Sequence, residues 1–210
     1  MIARDGQPVV VVIDDDELVR EAVSDLLRTV GLQSKLFASV SDFLKWKLPD
    51  APCCLILDVR LPGVSGLDFQ SELTKGNVQM PIVFMTAHGD IPMSVRAMKD
   101  GAIDFLSKPF RDQDMIDAVQ AGLERDRKRR AGTDATKQLQ SIFESLTARE
   151  KEIMDFVAAG LMNKQIAGKL KVSEVTVKFH RANVMRKMGA KSVADLVHMV
   201  DALALGRPKK

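Results

Sequence analysis

LILDVRLPGVSG, residues 55–66, is an apolar run that stops on a carboxylate, Asp58, and turns at once into a Pro-Gly loop. Three further stretches repeat the design: VVVVI delivers Asp14 and Asp15, PIVFM delivers Thr86, and DFLS delivers Lys108. Short β-branched runs without polar alternation, bounded by Gly or Pro, are the pattern of strands covered on both faces, and such strands belong to parallel sheets. The polar residue then stands at the strand's carboxyl end, where open α/β sheets bind their ligands. Three carboxylates, a hydroxyl and an ammonium gathered there stay unsatisfied until a divalent cation and a phosphoryl group join them. The pattern points to phosphorylation of an aspartate.

Outward from this stretch, strand-like runs at 8–13, 33–38, 54–58, 81–85 and 103–106 alternate with helical patterns. Right-handed crossovers between consecutive parallel strands make this an α/β doubly wound five-stranded parallel sheet, flavodoxin-like, over residues 1–123. Helix one is predicted over 16–30, with Leu18, Ala22, Leu26 and Val30, widened by Leu27, facing the sheet and Arg20 among the outward residues. Asp16 and Glu17 suit the start of that helix, where negative charge meets the amino-terminal dipole.

The net charge of +3 hides an asymmetry. Residues 1–121 hold 12 Lys+Arg against 18 Asp+Glu, a balance of −6, and the rest hold 19 against 10, a balance of +9. An acidic front and a basic back imply separate partners, and the basic half is compatible with nucleic acid. No apolar run approaches the roughly 18 residues that span a bilayer. MIARDGQP also lacks the apolar core of a secretory leader, so the expectation is a cytoplasmic protein with no membrane partner. The two cysteines, Cys53 and Cys54, are adjacent on one strand and are expected to be reduced, structural thiols.

Helix five is predicted to begin near Arg111 and to run on into a helical, charged linker over 124–145, with Gly132 a candidate break. The run Arg125–Arg130 fits a solvated helix face, with a tether or an auxiliary phosphate contact as alternatives. Leu139, Ile142, Phe143 and Leu146 recover helical spacing, to pack on the next domain or on another subunit. From 146 to 210 the strand signals vanish. Four helices, at 147–160, 163–170, 173–188 and 192–203, predict a small all-α four-helix helix-turn-helix domain, with Thr147 and Glu150 as a capping box and Ser173 and Gly189 bounding the third helix. Its expected core is Ile153, Phe156, Val157, Ile166, Ala167, Leu170, Val172, Val177, Val184, Met188, Leu196 and Val197.

With Asp14-Asp15, Asp58 ahead of LPG, Thr86-Ala87 and Lys108-Pro109 in that order, residues 7–123 resemble the receiver domain of two-component response regulators. The resemblance implies that Asp58 accepts a phosphoryl group from a histidine kinase. It implies that Asp15, Asp58 and the Arg60 carbonyl ligate Mg2+ while Asp14 helps through water, a donor set of hard oxygens that suits this ion. Lys108 pairs with phosphate, behind a cis bond to Pro109. Thr86 bonds the phosphoryl group and draws in the 86–90 loop, and Phe105 holds the aromatic switch position, with plain core packing as the alternative. Arg60 and His88 flank the path of the hydrolytic water.

The string LTAREKEIMDFVAAGLMNKQIAGKLKVSEVTVKFHRANVMRKMGAKS carries a second resemblance, over 146–203, to LuxR-type DNA-binding domains, and the two halves together resemble response regulators of the FixJ type. Recognition then falls to the helix from Ser173 to Met188. Lys178 can reach guanine or phosphate, and Phe179 and Ala182 can meet thymine methyl groups, with partial burial the alternative for Phe179. Asn163, Lys164, Thr176, Arg181 and Arg186 are assigned to phosphates, which fix register. His180 reads as structural. Val193, Leu196, Val197 and Val200, with Leu203, form a dimer face by resemblance, and Val95 and Lys99 contribute to a second one on the receiver.

The implied function is a transcription regulator, an activator by resemblance, that forms a homodimer on phosphorylation, or is unmasked by it, and engages paired half-sites in double-stranded DNA and then RNA polymerase. It is not an enzyme beyond its own phosphoryl transfer and slow dephosphorylation. An aspartyl-nucleophile phosphatase would need a second Asp two residues after Asp58, where Arg60 stands. A protein-binding adaptor would lack the steep salt dependence of DNA binding.

Overall fold

The structure, a computed structural model, describes residues 6–76 and 78–205; the N-terminal residues 1–5, read above for a leader, and 206–210 lie outside them. The chain divides into two compact units, residues 1–130 and 131–210.

In the first unit β1 (Val9–Ile13), β2 (Gln33–Phe37), β3 (Cys53–Asp58), β4 (Ile82–Thr86) and β5 (Asp104–Ser107) form one parallel sheet in the order β2-β1-β3-β4-β5. The helices α1 (Glu17–Thr29), α2 (Val40–Leu44), α3 (Gly66–Lys75) and α4 (Ile91–Lys99) connect the strands, and α5 (Asp112–Glu144) follows the last. β1, β3 and β4 are buried throughout, as continuous apolar runs require when both faces are covered. One face packs Val11, Ile13, Leu55, Leu57 and Phe84, and the other packs Val10, Val12, Cys54, Ile56 and Met85. The direction of winding reverses between β1 and β3. Such a switch point leaves a crevice beyond the strands' carboxyl ends, and there Asp14 and Asp58 stand.

Three expectations change here. Helix α1 buries Leu27 and packs Leu26 on the core as expected, but it adds Val23 and leaves Leu18, at 76%, and Val30, at 41%, exposed, so the covered stripe is displaced by about one residue from the expected one. Gly132 does not end α5, which continues through it for 33 residues. The run 125–130 is no uniformly solvated face, because Asp126 is 1% exposed. Its carboxylate accepts the Cys53 amide at 2.9 Å and pairs with Arg129 at 2.7 Å and Arg130 at 2.8 Å, and Arg130 reaches on to Asp50. Residues 124–145 are thus shared out, the first part tied to the sheet and Leu139, Ile142 and Phe143 packed on the core of the second unit.

The second unit holds α6 (Ala148–Ala158), α7 (Asn163–Leu170), α8 (Glu174–Met188) and α9 (Val193–Leu205). The capping box forms, with the Thr147 amide donating to Glu150 at 2.8 Å and the Glu150 amide to Thr147 at 3.2 Å. Ser173 caps α8 by accepting the Thr176 amide at 3.1 Å, and Gly189 closes the helix in the left-handed region at φ 70°. Lys171 also takes the left-handed conformation, φ 53°, making the sharp turn between α7 and α8. Helix α8 packs against α6 and α7, and α9 against α6. Leu196 is 1% exposed inside this core, so it cannot contribute to a dimer face; Leu203, at 4%, is equally committed, whereas Val193 stays exposed and Val197 half-buried. Val200 is partly buried against the same core, and Met154 replaces the expected Val197 within it.

Candidate functional site

The crevice is built by four strand ends. At β1, the buried Asp14 carboxylate accepts the Asp16 amide at 2.9 Å, and Asp16 caps α1 by accepting the Leu18 amide at 2.9 Å. At β3, Asp58 is 7% exposed and accepts the Arg60 amide at 3.0 Å. Lys108, beyond β5 and joined to Pro109 by a cis bond, donates to Asp14 at 2.6 Å and to Asp58 at 3.0 Å. Its own amide donates to the Thr86 carbonyl at 2.7 Å, which ties the ends of β4 and β5 together.

Asp14, Asp15 and Asp58 bring one carboxylate oxygen each within 4.8 Å of one another. Such a cluster of hard oxygens, with Asp15 on its open side, fits a small divalent cation. Burial pushes the Asp14 carboxyl above the usual range, against the Lys108 ammonium and the Asp16 amide, which favour its charged form. Burial also acts to lower Lys108, but its hydrogen bonds to Asp14 and Asp58 prevail and hold the ammonium above its ordinary value. The lysine is therefore charged throughout the physiological range.

Thr86 is fully buried, and its hydroxyl accepts the His88 amide at 3.3 Å, while the His88 side chain lies on the exposed loop. Phe105 is half-buried against Phe84, with ring centroids 6.2 Å apart. Val95, at 45% exposure, and Lys99 share the outer side of α4 with Ile91 and Met98.

Three participants escaped the sequence. Arg20 donates to the carbonyls of both Asp14, at 2.8 Å, and Asp15, at 3.0 Å. Gly66 lies so close to the Asp58 carbonyl that a side chain there would displace the strand end, and Gly89 faces both Phe105 and Thr86. The glycines carry a signal only in hindsight, because each reads as an ordinary loop or helix-start residue.

On α8, Lys178, Phe179 and Ala182 are exposed, Phe179 at 63%, with its ring edge-on to the half-buried His180. Lys164 and Arg186 are exposed as well, and Thr176 is half-buried. Arg181 donates to Asn163 at 3.0 Å, so two groups assigned to phosphates hold each other across α7 and α8. No helix among the described residues is long and apolar enough to cross a membrane.

Residues 10–120 match the family model of the response regulator receiver domain, and 144–200 that of the bacterial regulatory proteins of the luxR family. Nodulation protein W of Bradyrhizobium diazoefficiens is 53% identical over 94% of this chain and 87% of its own. Transcriptional regulatory protein FixJ of Azorhizobium caulinodans is 43% identical over 90% and 89%. Among solved structures, response regulator StyR matches with a TM-score of 0.83 at 49% identity over 93% of this chain and 99% of its own. Full-length FixJ from B. japonicum matches at 0.55 and 32% identity over 96% and 100%. A parallel sheet with an acidic crevice, followed by a helix-turn-helix unit, defines a two-domain signalling regulator. The chain belongs to the response regulators that join a receiver domain to a LuxR-type DNA-binding domain, the FixJ-like transcriptional regulators of two-component systems.

Proposed function

We propose that Asp58 is the phosphoacceptor and that its phosphorylation controls DNA binding by the second unit. The observation that carries this is the Lys108 ammonium, 2.6 Å from Asp14 and 3.0 Å from Asp58 on neighbouring strand ends. An Asp58 oxygen attacks the phosphorus of a phosphohistidine on the partner kinase; the new P–O bond forms as the P–N bond breaks, and the electron pair leaves with the imidazole. Asp15, Asp58 and the Arg60 carbonyl, with Asp14 through water, would hold Mg2+, which when bound neutralises charge between the carboxylates and the incoming phosphoryl oxygens. Lys108 pairs with a phosphoryl oxygen as a point charge. The Thr86 hydroxyl bonds another, and Phe105 follows the loop inward.

Phosphorylation then favours a homodimer through the face that carries Val95 and Lys99, with Val193 and Val197 available on the second unit. Lys178, Phe179 and Ala182 read base edges of paired half-sites in promoter DNA. Asn163, Lys164, Thr176, Arg181 and Arg186 hold the backbone. The bound regulator recruits RNA polymerase as an activator, and it acts in the cytoplasm, where its DNA lies.

Sedimentation velocity with and without acetyl phosphate and Mg2+ tests the proposal. The wild type shifts from monomer to dimer and Asp58→Asn does not; an equal shift to dimer in both rejects control through Asp58, and no shift in either rejects control by dimerisation under this donor and leaves unmasking within a monomer.

A further inference from the structure

Arg20 lies on α1, outside the ligand set assigned to the crevice, and its side chain is half-buried. One guanidinium nitrogen, Nη1, donates to two successive carbonyls, those of Asp14 at 2.8 Å and Asp15 at 3.0 Å. These two peptide planes set the directions in which the two carboxylates leave the backbone. Asp14 has further restraints, the Asp16 amide and Lys108. Asp15 has none: among the described residues nothing bonds its carboxylate, and its side chain is exposed. Only the backbone tells Asp15 where to point, and beside the Asp16 amide on Asp14 and the Asp14 amide on the Phe37 carbonyl, Arg20 is the side chain that holds the two carbonyls of that turn.

We infer that Arg20 is a positioning residue for Mg2+, holding the β1–α1 turn so that Asp15 faces Asp58 before the ion arrives. The inference rests on the proposed reading of the crevice as a Mg2+-dependent phosphoacceptor site. Preorganisation and charge pull in opposite directions here, which makes the two separable. A guanidinium held on the backbone of two of the metal-ligating residues carries a positive charge toward the cation's site, so if charge dominated, removing Arg20 would tighten Mg2+ binding. If positioning dominates, removal loosens it, by about tenfold on the scale of other groups that orient metal ligands.

The test is a Mg2+ titration of the full-length chain, followed by amide chemical shifts without any phosphodonor, on wild type, Arg20→Ala and Arg20→Gln. The expected result is a Kd about tenfold higher in Arg20→Ala and an intermediate value in Arg20→Gln, which keeps an amide donor and drops the charge. With acetyl phosphate the half-saturating Mg2+ concentration rises in step, while the rate at saturating Mg2+ is retained. An unchanged or lower Kd in Arg20→Ala overturns the inference, as does a rate that falls equally at all Mg2+ concentrations. A wild-type chain that binds no Mg2+ overturns the metal reading of the crevice itself.

Discussion

Gly89 and Phe105 occupy one space: a Cβ on Gly89 would lie 2.6 Å from the Phe105 Cε1 and 2.9 Å from the Thr86 Cγ2. The loop after β4 can lie over the aromatic ring only because residue 89 has no side chain. Gly89→Ala is expected to cost about 1–3 kcal/mol by overpacking. In the background of Phe105→Ala the same substitution should cost less, because only the contact with the Thr86 Cγ2 remains. Urea denaturation of the four chains of this cycle gives the coupling directly; additive effects would mean that the loop moves away freely.

Asp126 is a buried carboxylate whose two arginines reach solvent, Arg129 at 36% and Arg130 at 26% side-chain exposure. Removing it strands the buried Cys53 amide and takes from Arg129 and Arg130 the carboxylate they share, while Arg130 keeps Asp50, so Asp126→Ala is expected to destabilise the first unit by about 2–3 kcal/mol, as for a buried donor left unsatisfied. Burial acts to raise its carboxyl, but the Cys53 amide, Arg130 and Arg129 outweigh it and hold the group below the ordinary 3.8. A depressed folded value contributes stability that is present above pH 3.8 and lost as the pH falls through the lower folded value. The gap between wild type and Asp126→Asn should therefore be full at pH 7 and narrow below pH 3.8, as measured by denaturant midpoints.

Burial pushes the Cys53 thiol up to about 11 and the Cys54 thiol up to about 12. Since the thiolate is the reactive form, neither should react with an alkylating reagent at pH 8 in the native chain. Both should react at once in denaturant. Rapid native labelling of either would show that the β3 end of the sheet opens.

Phe179, exposed at 63%, contributes little to its own fold. Phe179→Ala should leave the melting temperature within a degree or two while weakening binding to a duplex selected from a random pool by about 1–2 kcal/mol, if the ring makes the base contact proposed for it. Its salt dependence should not change. Lys164→Ala, removing the phosphate contact proposed for it, should instead flatten the slope of log K against log salt by about 1.

The polar ends of the strands were legible because burial on both faces leaves a parallel strand nowhere else to put a functional group: Asp14, Asp58, Thr86 and Lys108 stand out against apolar runs. The helix faces were less so. Leu18, Ala22, Leu26 and Val30 keep the same spacing as Val23 and Leu27 one residue away, and only the position of the sheet chooses between neighbouring stripes. Gly132 costs a helix about 1 kcal/mol relative to Ala, too little to end one whose next turns pack on a core. Leu196 is read both as core and as part of a dimer face, and the structure keeps the first role: at 1% exposure it is spent inside the unit, a choice that the repeat of apolar residues along α9 does not make. Arg20 was illegible for another reason: its partners are main-chain carbonyls, and no pattern of side chains announces them.

The bond from Asp126 to the first amide of β3 answers a question that the strand itself leaves open. CCLILD is buried at all six positions, so no alternation of apolar and polar residues tells it which neighbours on β1 and β4 to face. A slip by one residue would exchange its two faces at little hydrophobic cost, yet would turn Asp58 out of the crevice. A single polar clasp at the far end of the strand penalises every alignment but one. The carboxylate that performs it lies at the opposite edge of the sheet from the chemistry, and it acts as a ruler for where Asp58 comes to rest.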